Sequence, residues 1–208
     1  MNLVNYKGLE FFVIYVLVPI SFAIKYSTWI KLAIGFIGFV YIVYVLLKVE
    51  KEKFKISKSL NWKLFFKQTL TRFLVIVCVT YFFVFFTNKE AFFGVLLDKP
   101  KLWLFILFVY SVFSVYPQEL IYRTFYFKRY KQFFKGENIV IFINAIVFSL
   151  GHIFFKNSLV LVLTFLGGLL FATTFSKTQS TLLVSIEHAI YGCWLFTVGM
   201  GDMLGFPS

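Results

Sequence analysis

The sequence predicts an all-α, polytopic transmembrane helix bundle, and three observations carry that reading. The 208 residues are 60% hydrophobic and only 14% charged, with a mean hydropathy of +0.85. A soluble domain usually carries about 25% charged residues. Thirty-one Phe, twelve Tyr and four Trp present more aromatic surface than one core of this size can hide from water. Long apolar runs recur along the chain, separated by short segments rich in Lys. This pattern excludes a disordered chain, a coiled coil and an ordinary soluble enzyme, and predicts one integral membrane domain over residues 1–208.

A bilayer span needs about 20 mostly apolar residues. Seven runs reach or approach that length: 9–24, 29–47, 69–86, 102–127, 139–155, 158–175 and 180–198. The first has one Lys before it and no small-residue cleavage site after it, so it reads as a span rather than a cleavable leader. Before the third lies 48–72, with eight basic residues. It reads as an orientation signal with a surface-lying part (Trp62, Phe65, Phe66), in preference to a nucleic-acid or anionic-lipid patch. In the fourth run Pro117 either kinks one long helix or starts another, which leaves an eighth helix open. In the sixth, Thr164, Gly168 and Ala172 form a ridge of small residues on which a neighbouring helix can pack closely.

The placement of charge supports the same map. The net charge is +12. With the N-terminus inside, the segments on that side carry Lys7, the eight residues from Lys48 to Arg72, then Lys128, Arg129, Lys131, Lys135 and Lys177, fourteen in all. The other side carries six: Lys25, Lys31, Lys89, Lys99, Lys101 and Lys156. The positive-inside rule therefore predicts a cytoplasmic N-terminus, and with seven spans the C-terminus falls outside. Composition rich in Lys, Phe and Ile suggests a multi-pass protein of a bacterial inner membrane. The basic balance is a matter of topology, so no nucleic-acid partner is expected. Cys78 and Cys193 lie in apolar surroundings without CxxC spacing and read as small buried hydrophobes.

Ionisable side chains inside a membrane cost about 2.5–3.5 kcal/mol each near a helix centre, which marks them as candidates for function. The candidates singled out in the predicted spans are Glu119, Arg123, His152 and His188, with Glu187 beside the last. Glu119 and Arg123, four positions apart, share a helix face and can pair. Glu187 points about 100° away from His188 around its helix. Taken singly, each has a plain structural reading as an ion pair or a hydrogen-bonded packing residue. Together they predict a shared polar cleft.

Three segments, Gln118-Glu119-Leu-Ile-Tyr-Arg123, Phe148-Ser-Leu-Gly-His152 and His188-Ala-Ile-Tyr-Gly192, resemble the EExxxR, FxxxH and HxxxN motifs of the CPBP (CAAX protease and bacteriocin-processing) family. The match covers roughly residues 100–200, which would be the family-like core. The resemblance implies intramembrane proteolysis of a membrane protein or peptide. In that scheme the first Glu of EExxxR and His152 activate water, His188 stabilises the oxyanion, Glu119 corresponds to the second Glu, and Arg123, Gln118, Phe148 and Gly192 take the supporting positions. Here, then, either Glu119 serves as the catalytic base, or Glu187 contributes, or the site is impaired. Gln118 stands where the family has its first Glu, and Gly192 where it has Asn.

Three functions are weighed on this basis. The first is a glutamate-type endopeptidase with Glu119 as base. The second is a catalytically impaired relative acting as a bacteriocin-immunity or peptide-binding membrane protein, favoured by the two departures. The third is a transporter, disfavoured by the absence of internal repeats. One carboxylate and two imidazoles could hold zinc, but no HExxH is present and the resemblance implies a metal-independent reaction, so no metal or other cofactor is expected. Oligomeric state is left open.

Overall fold

In the computed structural model, which describes residues 3–53 and 60–205 with side chains from residue 6, every regular element is helical. Residues 54–59 of the expected basic loop lie outside the described residues. We number seven helices: α1 (3–22), α2 (Thr28–Val49), α3 (Trp62–Thr87), α4 (Pro100–Phe133), α5 (Glu137–Phe155), α6 (Ser158–Thr178) and α7 (Thr181–Val198). Six of them, α2 to α7, are long and apolar enough to cross a membrane. Among the described residues these six do not confirm the expected count of seven or eight spans.

The chain settles the alternatives around Pro117 in favour of one continuous helix. In α4 a π-helical stretch, Tyr110–Val115, precedes the proline and a second, Leu120–Phe125, follows it. A proline ring collides with the carbonyl four residues back in a regular α-helix. The wider π turn relieves that collision and needs no break. The consequence is functional, since the two π stretches set the rotation at which Tyr110, Glu119, Tyr122 and Arg123 face the bundle.

Helix α3 begins at Trp62, not at 69, so the aromatic segment expected to lie on the surface is its first turn. Asn61 caps that turn, its side chain accepting from the Leu64 N–H at 2.9 Å, which satisfies one of the free donors of a helix start. Phe65 is buried there while Trp62 and Phe66 face out.

Packing follows residue size. A Cβ at Gly168 of α6 would lie 2.9 Å from the Cα of Ala145 in α5, so the small ridge does bring two backbones together. Helix α7 is central: 56% of it is buried, against 17% of α2 and of α3. Outward faces are apolar, with Trp29 80% and Phe86 78% exposed. Such surface is stable only against lipid, and the protein is a multi-pass membrane protein. Cys78 belongs to that outward surface rather than to the core, and Cys193 is half-buried beside Ser111. An outward position in a membrane helix is no less apolar than an inward one, so residue type alone could not separate the two.

Two of the basic residues assigned to loops by charge counting are partners inside the bundle. Arg129 of α4 pairs with Glu10 of α1 (Nε–Oε2 2.5 Å) and with Glu50 after α2 (2.8 Å). Tyr130 and Tyr41 also donate to Glu10. Arg72 of α3 reaches Glu187 of α7 at 2.8 Å.

Candidate active site

The site is built from α4, α5 and α7. Glu119 and Arg123 sit on one face of α4, both with no exposed side-chain surface, and Arg123 Nε lies 3.2 Å from Glu119 Oε2. The contact is within ion-pair distance but not aligned as a hydrogen bond. Arg123 instead donates from Nη1 to Asn144 Oδ1 of α5 at 2.8 Å, and its guanidinium lies over the Phe148 ring at 4.4 Å. A buried guanidinium is tolerated best when paired and hydrogen-bonded. The carboxylate, amide and ring face supply charge, one strong hydrogen bond and a π face, while Nε and Nη2 have no hydrogen-bond partner among the described residues.

The other oxygen of Glu119 faces α7. His188 Nδ1 lies 2.7 Å from Glu119 Oε1, across 69 residues of sequence. A carboxylate can only accept, so in the neutral ring the proton sits on Nδ1 and Nε2 carries a lone pair. His152, after the last turn of α5, is held in the same sense: its Nδ1 lies 2.8 Å from the Phe148 carbonyl oxygen, again a pure acceptor. Phe148 separates the two imidazoles, with ring centroids 4.8 Å from His152 and 5.7 Å from His188. Phe171 stacks on His188 at 4.3 Å. Two proton-accepting nitrogens are thus positioned on rigid rings around one aromatic spacer.

Both histidines, Gln118, Phe148 and Gly192 line a cavity of about 690 Å³. Gly35 of α2, Val75 and Val79 of α3, Phe154 of α5 and Leu166 of α6 line it and are themselves exposed, so it reaches the outward surface of the bundle, at α2 and α3 among other places. Of the four ionisable groups expected to converge on one cleft, His152 and His188 line the cavity, and Glu119 and Arg123 adjoin it from behind. The cleft is not the polar one expected, however. Its walls are mostly apolar, Glu119 and Arg123 stand behind them, and only a few polar groups reach the space. Gln118 donates to Ser114 Oγ at 2.8 Å, and its Oε1 is buried with no partner among the described residues.

Glu187 is not part of this cavity. It is fully buried between Arg72 and Tyr191, whose hydroxyl donates to it at 2.8 Å. Among the described residues, no three His, Cys, Asp or Glu side chains stand close enough to hold a metal ion.

Sequence reasoning missed Asn144, Glu10, and the tyrosines Tyr110 and Tyr122. Asn144 had a signal: Asn144, Phe148 and His152 recur every four residues, one helical stripe. Glu10 is a carboxylate inside an apolar run and was as visible as Glu187. The tyrosines had no signal, because twelve Tyr are spread over the chain.

This geometry lies within the segment that matches a known family. Residues 100–194 match the family model described as type II CAAX prenyl endopeptidase Rce1-like. Over these residues, somewhat under half of the chain, the sequence is similar to the CAAX protease family. The matched stretch of this CAAX protease-like protein holds Glu119, Arg123, His152 and His188, along with the Gln118 and Gly192 departures. No curated protein and no solved structure matches the chain.

Proposed function

We propose that this protein is an intramembrane endopeptidase of the CAAX-protease-like, glutamate-type class, hydrolysing a peptide bond with a water activated by histidine and glutamate. The observation that carries it is the Glu119–His188 hydrogen bond with Arg123 behind it and His152 across Phe148, with both imidazoles at the wall of one cavity. A carboxylate on Nδ1 holds an imidazole in the tautomer whose Nε2 accepts a proton and stabilises the cation that results. His188 is then the general base and Glu119 acts through it. His152 Nε2 accepts a hydrogen bond from the other O–H of the same water, which turns a lone pair of the water oxygen toward the substrate carbonyl. This allocation moves the base from Glu119, the carboxylate expected to serve in place of the family's first Glu, to the imidazole, because Glu119 has no surface on the cavity. Neither Gln118 nor a metal ion or other cofactor is required to accept the proton.

The substrate is a membrane protein or peptide that enters from the bilayer. The reach of the cavity to the outward surface and its apolar walls suit a lipid-embedded or lipid-modified chain. Helix α1 serves as a seventh span: Glu10 meets Arg129 and Tyr15 donates to the Ile121 carbonyl at 2.7 Å, so it runs antiparallel to α4 at the same depth. Seven crossings with the N-terminus in the cytoplasm of a bacterial inner membrane follow the distribution of Lys and Arg.

A second reading rests on Gln118 and Gly192: an impaired relative that binds a peptide in the same cavity, as an immunity protein would. Purified protein in lipid, assayed on a farnesylated CAAX peptide and on an unmodified peptide library, separates the two. Cleavage lost in Glu119→Gln supports the protease. Peptide binding without cleavage, unaffected by Glu119→Gln, supports the binding protein.

A further inference from the structure

Hydrolysis through His188 and His152 leaves one requirement unmet. Both imidazoles spend Nδ1–H on acceptors, Glu119 and the Phe148 carbonyl, and turn lone pairs toward the cavity. Lone pairs can take protons from water but repel the oxyanion that forms when water adds to a carbonyl. A hydrogen-bond donor aimed at that oxygen is usually among the largest single contributions to such a reaction.

Gly192 shows where one is. A Cβ built at this glycine would stand 2.0 Å from the hydroxyl oxygen of Tyr110 and 2.4 Å from the ring carbon that bears it. No other residue type fits at 192 while Tyr110 keeps its place. Gly192 lies one turn beyond His188 on α7, so the phenol is set against the same helix face as the base. The Tyr110 ring is fixed edge-on to Phe196 at 4.7 Å and to His188 at 6.0 Å. Tyr110 lines the cavity together with both histidines. Its position depends on the π-helical stretch Tyr110–Val115 that accommodates Pro117.

We propose that Tyr110 is a catalytic residue of this site, its O–H donating to the carbonyl oxygen of the scissile bond. The inference rests on the proteolytic reading given above. In the first step water oxygen bonds to the carbonyl carbon, one water proton passes to His188 Nε2, and the carbonyl π pair moves onto the oxygen, which the Tyr110 O–H holds. In the second step that pair re-forms the carbonyl, the C–N bond breaks, and the leaving nitrogen takes the proton from His188. Tyr110 gives up no proton and is unchanged at the end. Gly192 is then the residue that admits the donor.

The test is Tyr110→Phe in the full-length protein in lipid, with wild type and Tyr122→Phe beside it on the same cleaved peptide. Tyr122 is the informative neighbour, because its hydroxyl lies 2.1 Å from a Cβ built at Gly151, next to His152. Removing one such donor should lower kcat by about 10²–10³ with KM little changed. A phosphinate peptide that mimics the tetrahedral species should lose affinity in proportion, while thermal stability stays at the wild-type value because the ring still packs on Phe196. Equal kcat in Tyr110→Phe and wild type overturns the assignment and leaves the protease reading intact. A loss confined to Tyr122→Phe overturns it too and moves the role across the cavity. Failure of wild type to cleave any peptide overturns the protease reading, and this inference with it.

Discussion

His188 and Glu119, on α7 and α4, are joined by a 2.7 Å hydrogen bond between Nδ1 and Oε1, and Arg123 occupies the opposite side of the same carboxylate. One carboxylate thereby serves two partners, a base at the cavity and a buried cation away from it. Several consequences can be measured.

Glu119→Gln keeps an acceptor for His188 but loses the charge that fixes its tautomer and stabilises its protonated form. Loss of about 10⁴ in kcat is expected, as for comparable dyads. The same change leaves Arg123 buried without its counter-charge, which costs about 3–5 kcal/mol. Denaturation midpoints measured alongside turnover must therefore drop as well. A variant with full activity and full stability would contradict the geometry.

Losses at the imidazoles should not add. His152→Ala and His188→Ala each remove one acceptor of the same water, and groups acting as a unit lose most of their effect with the first deletion. The double variant should fall within about tenfold of the slower single one. Additive losses, read as the product of the two single-variant ratios, would show that the histidines act in separate steps.

Gln118→Glu places a second carboxylate next to Glu119, at the cavity wall and with no cation of its own. That carboxylate restores the residue the family pattern has at this position, so activity should be retained or raised. A variant that cleaves where wild type does not would identify the present chain as a decayed protease.

Gly168→Val tests the α5–α6 contact. The added Cβ meets backbone at 2.9 Å, which cannot move aside as a side-chain tip does. Overpacking of this kind costs about 1–3 kcal/mol. Gly8→Ala, where nothing lies within 4 Å, should leave the midpoint unchanged or slightly higher. Equal midpoints for both variants would mean the helices are not in contact.

Reporter fusions at Lys55 and Ser208, both outside the described residues, check topology. Lys55 is expected in the cytoplasm and Ser208 on the far side. A cytoplasmic signal at Ser208 with Lys55 also inside would mean that the membrane is crossed an even number of times between the two points, and would remove one of α3 to α7.

The sequence by itself determined the class of fold, the order of its long apolar helices, and the short roster of charged groups that lipid does not tolerate. Those properties follow from transfer energies, which depend on residue type and run length alone. It also placed Glu119 and Arg123 on one face, because their spacing is local to a helix. Only the tertiary structure decided which residues meet across helices. Arg72 and Arg129 looked like loop charges until Glu187 and Glu10 came to them, and Asn144 looked like a stray amide until Arg123 did. Gly192 looked like a missing side chain, whereas the space is filled by Tyr110, 82 residues earlier in the chain. Contacts of that kind depend on helix rotation, and in α4 the rotation is set by two π-helical stretches around Pro117. A few tens of degrees of twist accumulated there decide which side chains face the cavity, and hydrophobic pattern in a lipid-facing helix does not report them.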